Sequence, residues 1–171
     1  MPVTSFDPLL TRIAEVLCDG AGVFRTLPAP LRFRDAAYAQ PPTEASTAAH
    51  EQKGCIAYIT GIRERSFNSE IAPTAVYEID VVVETTYFVE HPSERAAVRA
   101  QLAAAALDGH LVRSALCCPG NLAQTVAGAP VGLVDDGLTF RSFVLGKPDR
   151  VTRLMTGAIQ FTGAIELSHP T

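Results

Sequence analysis

The side chains best equipped for chemistry fall into three groups. His110 lies shortly before the adjacent thiols Cys117 and Cys118, and a histidine beside a cysteine can generate a thiolate nucleophile. On a helix, however, His110 and Cys117 stand two turns apart, about 10 Å along the axis. That is beyond hydrogen-bond reach, so the spacing predicts two small buried residues at a helix end. The second group, Glu78, Asp80 and Glu84, recurs at two-residue steps and could supply an acid–base pair or hold a hard cation. Strand residues two apart sit about 7 Å from one another on one face, and the chain announces no second wall of ligands. These carboxylates therefore read as a solvated or interfacial face. Arg63, Arg65, Arg141 and Arg153 are its counter-charges, paired across strands within a subunit or between subunits. The third group, Asp135-Asp136-Gly137, opens like a calcium loop but lacks the spaced ligands and closing glutamate, and reads as a turn.

Nothing else in the chain adds a reaction. His50, His91 and His169 fall in loop-like or terminal stretches and read as surface residues. There is no phosphate-binding glycine loop, no G-x-S-x-G and no H-E-x-x-H. The cysteines Cys18, Cys55, Cys117 and Cys118 are irregularly spaced without a C-x-x-C pair, which predicts buried thiols rather than a disulfide framework or a zinc site. No enzyme class, metal or cofactor is expected.

Composition narrows the class of partner. A length of 171 residues fits one domain with a real core. An apolar share of 47% with 19% charged residues is that of an ordinary soluble protein. A net charge of −4 provides no footprint for nucleic acid, so no sequence-specific nucleic-acid binding is expected. No apolar run approaches the ~20 residues of a membrane span. Met-Pro-Val-Thr-Ser at the start lacks the basic and apolar regions of a signal peptide. The expected place of synthesis is a cytoplasm, with no membrane partner. Only Lys53 and Lys147 among the 14 basic residues are lysines. Such a bias fits a GC-rich coding genome, and planar arginine also suits interfacial ion pairs.

The elements that must position these groups follow from periodicity. Residues 5–19 predict a helix, with Asp7 as cap before Pro8 and Phe6, Leu9, Leu10, Ile13, Val16 and Leu17 forming one stripe. Residues 20–54 carry Pro28, Pro30, Pro41 and Pro42, and read as an extended Pro-rich loop or arm that orders against a partner. Within it, Leu31, Phe33 and Tyr38 mark a short extended piece. Cys55–Arg65 predicts a strand with Ile56, Tyr58, Thr60 and Ile62 on one face and a bulge at Gly61. Ser66 to Pro73 is a turn. Val76–Glu90 is the clearest strand, its Tyr77, Ile79, Val81, Val83, Thr85, Tyr87 and Val89 alternating with mainly acidic positions. The second helix starts at a Ser93 cap and carries Val98, Leu102, Ala105, Gly109, Val112 and Leu116 on one face. Asp108-Gly109 is a candidate break, and Cys117-Cys118-Pro119-Gly120 ends the helix. Val131–Leu145 and Val151–Leu167 predict two last strands, with Val151, Met155, Ile159, Phe161, Ile165 and Leu167 facing one way and Gly157 and Gly163 marking twist or bulges. The expected fold is α/β in the α+β sense. Its four-stranded, mainly antiparallel sheet has two helices on one face, in the order α-β-β-α-β-β, over one domain spanning 1–171.

The last part of the chain carries a family likeness. His110-Leu111-Val112-Arg113-Ser114-Ala115-Leu116, Pro119-Gly120-Asn121-Leu122, Gly132-Leu133, Asp149-Arg150 and Thr156 through Leu167 together resemble tail terminator (tail completion) proteins of long-tailed bacteriophages. The likeness is one of pattern and length, and it extends loosely over the whole chain through the element order. It implies a small α/β domain that assembles as a hexameric ring at the head–tail joint of a virion. Such a ring caps the tail tube, ends its polymerisation and docks to the head connector or a neck protein, with the sheath as a further partner where the tail contracts. The 20–54 arm is longer than in a compact member of that family. A head-to-tail ring needs two different complementary patches per subunit, and the acidic strand face and the arginines are the candidates. The sequence also leaves open a neck or head-completion protein of the same joint. From other classes it leaves a small ligand-binding or thiol-dependent enzyme domain, and a host-encoded oligomerisation module.

Overall fold

The alternation from Val76 to Glu90 places a β-branched or aromatic side chain at nearly every second residue, a pattern that fits a pleated, half-buried surface. In the structure, a computed structural model, this stretch is the interior strand β4 (Thr74–Phe88). The structure describes residues 3–19, 33–35, 53–68, 74–135 and 137–168. The remaining elements are α1 (Asp7–Leu17), β1 (Cys18–Asp19), β2 (Phe33–Asp35), β3 (Lys53–Asn68), α2 (Arg95–Cys117), β5 (Thr139–Leu145) and β6 (Leu154–Ser168). Most of the 20–54 arm, with His50, Leu31 and Tyr38, lies outside the described residues, as do residues 69–73 of the predicted turn, Asp136 and His169.

The four long strands form an antiparallel sheet, and the class is α+β with the long elements in the expected order. Two short strands are added: β2 falls in the short extended piece expected around Phe33, whereas β1 was too brief to signal, and together they extend the sheet beside β3 in parallel, giving the order β1-β2-β3-β4-β6-β5. Both helices pack on one face. Leu9, Ile13, Val16 and Leu17 of α1 share a core with Val112 and Leu116 of α2, with Ile79, Val81 and Val83 of β4 and with Ile159, Phe161 and Ile165 of β6. Each such side chain contributes about 1.5–3 kcal/mol by leaving water.

Several local expectations shift. Phe6, not Asp7, is the N-cap of α1, which moves Asp7 into the first turn beside Pro8. Glu94 precedes α2 and no side chain caps it, so Ser93 stands one residue outside. Gly157 and Gly163 make no bulge, because β6 pairs with β4 without a break. The register shifts fall instead on the outer strands, between Ile59 and Gly61 and between Glu64 and Ser66 in β3, and between Phe140 and Ser142 in β5. The first shift moves Ile62 into register with Ile79, so it leaves the face shared by Ile56 and Tyr58. Val151 is 91% exposed in the β5–β6 turn and does not join the apolar face of β6.

Helix α2 runs unbroken through Asp108-Gly109. Glycine is needed there for space: a Cβ on Gly109 would run into the ring of Phe143 on β5. The C-terminal carbonyls of α2 are also satisfied. The Asn121 amide donates to the Ala115 carbonyl at 2.8 Å, and the Leu138 N–H donates to that of Leu116 at 3.0 Å. Gly109→Ala sets a helix-propensity gain of about 1 kcal/mol against an overpacking cost of about 1–3 kcal/mol. The opposite edge of the ring lies close to Gly157 of β6, which limits its retreat, so the clash wins. Urea denaturation should show a net loss of stability, and a variant as stable as the parent would contradict the packing.

Candidate functional site

Among the described residues, two buried ion pairs account for the charged groups inside the molecule. Lys53, the first residue of β3, donates from Nζ to Asp108 Oδ1 of α2 at 2.8 Å, with both side chains buried. Tyr87, opposite Lys53 in the β3–β4 register, completes the cluster. Burial pushes the Asp108 carboxyl up and Lys53 pulls it back only in part. Burial, then the charge of Asp108, raises the Tyr87 phenol. On α1, Arg12 Nη1 meets Glu15 Oε2 at 3.2 Å, one turn along the helix. The same arginine donates from Nε to the Asn121 carbonyl at 2.7 Å, and Glu15 accepts the Val126 N–H at 2.8 Å. Both clusters are closed to solvent, and their geometry fits tying helices to the sheet and to the loop after α2.

The accessible polar surface is the other face of the sheet, opposite the helices. Val82 of β4 lies at its centre and is 7% exposed. Around it Asp80, Thr60, Arg141, Gln160 and Thr162 line a depression of about 300 Å³. Its rims are shaped by the strand irregularities. The three residues skipped by the ladder are Thr60, Arg65 and Arg141, and bulges commonly re-aim side chains in this way. Thr60 donates to the Asp80 carbonyl at 3.3 Å, Arg141 Nε donates to Thr162 Oγ1 at 3.2 Å, and Ser142 donates to Gln160 Oε1 at 2.8 Å.

The predicted face residues are brought together selectively. Arg63 reaches Asp80 at 3.3 Å and Glu78 at 3.9 Å, so this part of the acidic face is neutralised within the chain. Glu84 accepts the Tyr58 hydroxyl at 3.2 Å. Burial, then that hydrogen bond and the carboxylate's charge, raise the Tyr58 phenol. Arg65 is exposed near the end of β3. Arg153 stands apart in the β5–β6 connection at a positive φ of 57°, beside Arg150, Glu90 and His91. That connection is built on Asp149, whose carboxylate accepts the Val151 and Thr152 N–H groups at 2.8 and 2.7 Å and the Thr152 hydroxyl at 3.0 Å. The two N–H bonds, then the hydroxyl, hold its carboxyl below the usual range.

The His110–Cys117 pairing is not made: His110 is exposed on α2, and Cys117 is half-buried at the helix end. Only one of the two is therefore withdrawn from solvent, where both were expected to be. No group of three or more His, Cys, Asp or Glu side chains among the described residues is placed to hold a metal ion. No described helix is long and apolar enough to cross a membrane.

Lys53, Asp108, Arg12 and Glu15 went unassigned on the sequence, as did Gln160 and Thr162. The last two alternate with the apolar residues of β6 and were findable. The Lys53–Asp108 pair spans 55 residues of sequence, and no local spacing could announce it. No protein-family model matches the sequence, and no curated protein matches it either. The two kinds of ion pair should respond differently to mutation. Lys53→Met strands a buried carboxylate and should cost about 3–5 kcal/mol, with much of that recovered in Lys53→Met/Asp108→Asn. Arg63→Ala breaks exposed contacts and should cost at most about 1 kcal/mol. Chemical denaturation of the parent, these three variants and Asp108→Asn alone measures both, and additive Lys53 and Asp108 effects would disprove the coupling.

Proposed function

We propose that this chain is a non-enzymatic virion component of the head–tail joint of a long-tailed bacteriophage, a tail terminator that works as a ring of identical subunits. The observation that carries the reading is the sheet face left bare by both helices. It is polar, shaped by bulges, and set with charges of both signs. A surface of that kind suits repeated contact with protein partners, because complementary charges fix register and orientation. Among the described residues, the buried charged side chains are engaged in structural ion pairs.

The segments that carry the family likeness have identifiable structural duties, which supports the same reading. His110–Leu116 forms the last turns of α2. Asn121 closes that helix and receives Arg12. Leu133 bridges Ile165 ahead of the start of β5. Asp149 organises the turn into β6, and Thr156–Leu167 is most of that interior strand. On this reading the partners are further copies of the chain, the tail tube and the head connector or neck protein. Arg65 and Arg141, set out by the bulges, lead the contacts. Arg63 serves within the subunit.

Light scattering over a concentration series tests the proposal. The expected result is a discrete species near six times the 18.2 kDa chain mass, present alone or appearing as concentration rises or on addition of tail tubes. Arg65→Glu should shift the assembly midpoint upward at least about tenfold at an unchanged thermal midpoint. A chain that stays monomeric under all of these conditions would overturn the ring.

A further inference from the structure

Two thiols meet at the edge of the core. Cys18 is the first residue of β1, directly after α1, and Cys55 lies near the start of β3. They are 37 residues apart in sequence, yet their sulfurs lie 3.0 Å from each other, and the residues are 1% and 4% exposed. A disulfide bond is about 2.05 Å long, so about 1 Å of approach separates this pair from one. The other two cysteines are not so placed: Cys117 is half-buried at the end of α2, and Cys118 is exposed, with its thiol directed to the Pro119 carbonyl at 3.8 Å.

We propose that Cys18 and Cys55 form a site of covalent modification, in which a small-molecule disulfide such as glutathione disulfide oxidises them to an intramolecular cross-link. One cysteine thiolate attacks a sulfur of the reagent, breaks its S–S bond and expels one small thiolate. The second cysteine thiolate then attacks the protein sulfur of the mixed disulfide and expels the other. The two protein thiols lose two protons and two electrons. The reagent's two sulfurs take them up and leave as two small thiols. A reducing cytoplasm drives the exchange back and an oxidising medium drives it forward, so the bond reports the compartment. It ties the C-terminal end of α1 to β3 and closes the intervening chain into a loop. This inference stands independently of the role in assembly.

Burial sets the rate. The pairing that covers the site is short, with two residue pairs joining β1 to β2 and two joining β2 to β3. Opening this edge costs less than global unfolding and admits the reagent. Cys118 should therefore react first and the buried pair later.

The test uses the full chain, incubated with glutathione disulfide or with dithiothreitol, blocked with iodoacetamide and digested with trypsin. The expected product is the peptide 13–25 joined to the peptide 54–63, lighter by two hydrogens than the two reduced peptides together. It should come with a thermal midpoint raised by about 10 °C over the reduced protein. Cys117→Ser/Cys118→Ser should keep both the link and the shift. Cys55→Ala should lose both. A product limited to glutathione adducts or to links through Cys117 or Cys118 would overturn the proposal, and so would a double variant that no longer forms the 18–55 link.

Discussion

The structure depends on the unbroken ladder between β4 and β6. Every residue from Thr74 to Phe88 has a partner in β6, running from Ser168 back to Leu154 without a shift. Side chains alternate between faces along a strand, so a slip of one residue would carry either Val81 and Val83 or Ile159 and Phe161 out of the core. That penalty fixes the register, and the register fixes which carboxylates face away from the helices. The irregularities are confined to β3 and β5, where a bulge re-aims a side chain without disturbing the centre.

The helices are attached by a different means. Apolar stripes bring α1 and α2 down on the sheet, but a stripe alone specifies orientation poorly. Directional bonds supply the rest: Lys53 to Asp108 fixes α2 against the start of β3, and Arg12 and Glu15 bind α1 to the loop that follows α2. A buried charge pair adds little net stability over an apolar one, yet it penalises arrangements that separate its members. In this molecule the charged side chains of the interior work on alignment. The charges on the sheet's bare face remain accessible for contact with other molecules.

Much of the architecture was legible from periodicity. The stripe of α1, the alternation of β4 and the apolar positions of β6 each reflect a single dominant environment, and each was placed within a few residues. What stayed hidden was non-local. Lys53 and Asp108 gain meaning only once β3 and α2 touch. Asp108-Gly109 looked like a break because glycine weakens helices, whereas the Phe143 ring reserves that space. The bulge near Gly61 was signalled, but not the change of phase it imposes, so Ile62 was assigned to the wrong face, and Arg141 gave no sign that it stood outside the ladder. The acidic face was readable as a face. Pairing with Arg63 across strands was one of the two arrangements left open, and the register, which sets distance across a sheet, decides between them.

One small contact has a wider consequence. The Ser168 N–H donates to the Val3 carbonyl at 2.7 Å, and Val3 is itself buried, with its side chain against Gly132. The beginning and end of the described chain are thus laced together at one rim of the sheet. Val3 and Ser168 are therefore spatial neighbours, so modules joined directly at these two points would start side by side. The same adjacency makes the molecule topologically suited to circular permutation. A short peptide joining these two points would preserve the β4–β6 ladder, and new termini could be opened elsewhere on the surface.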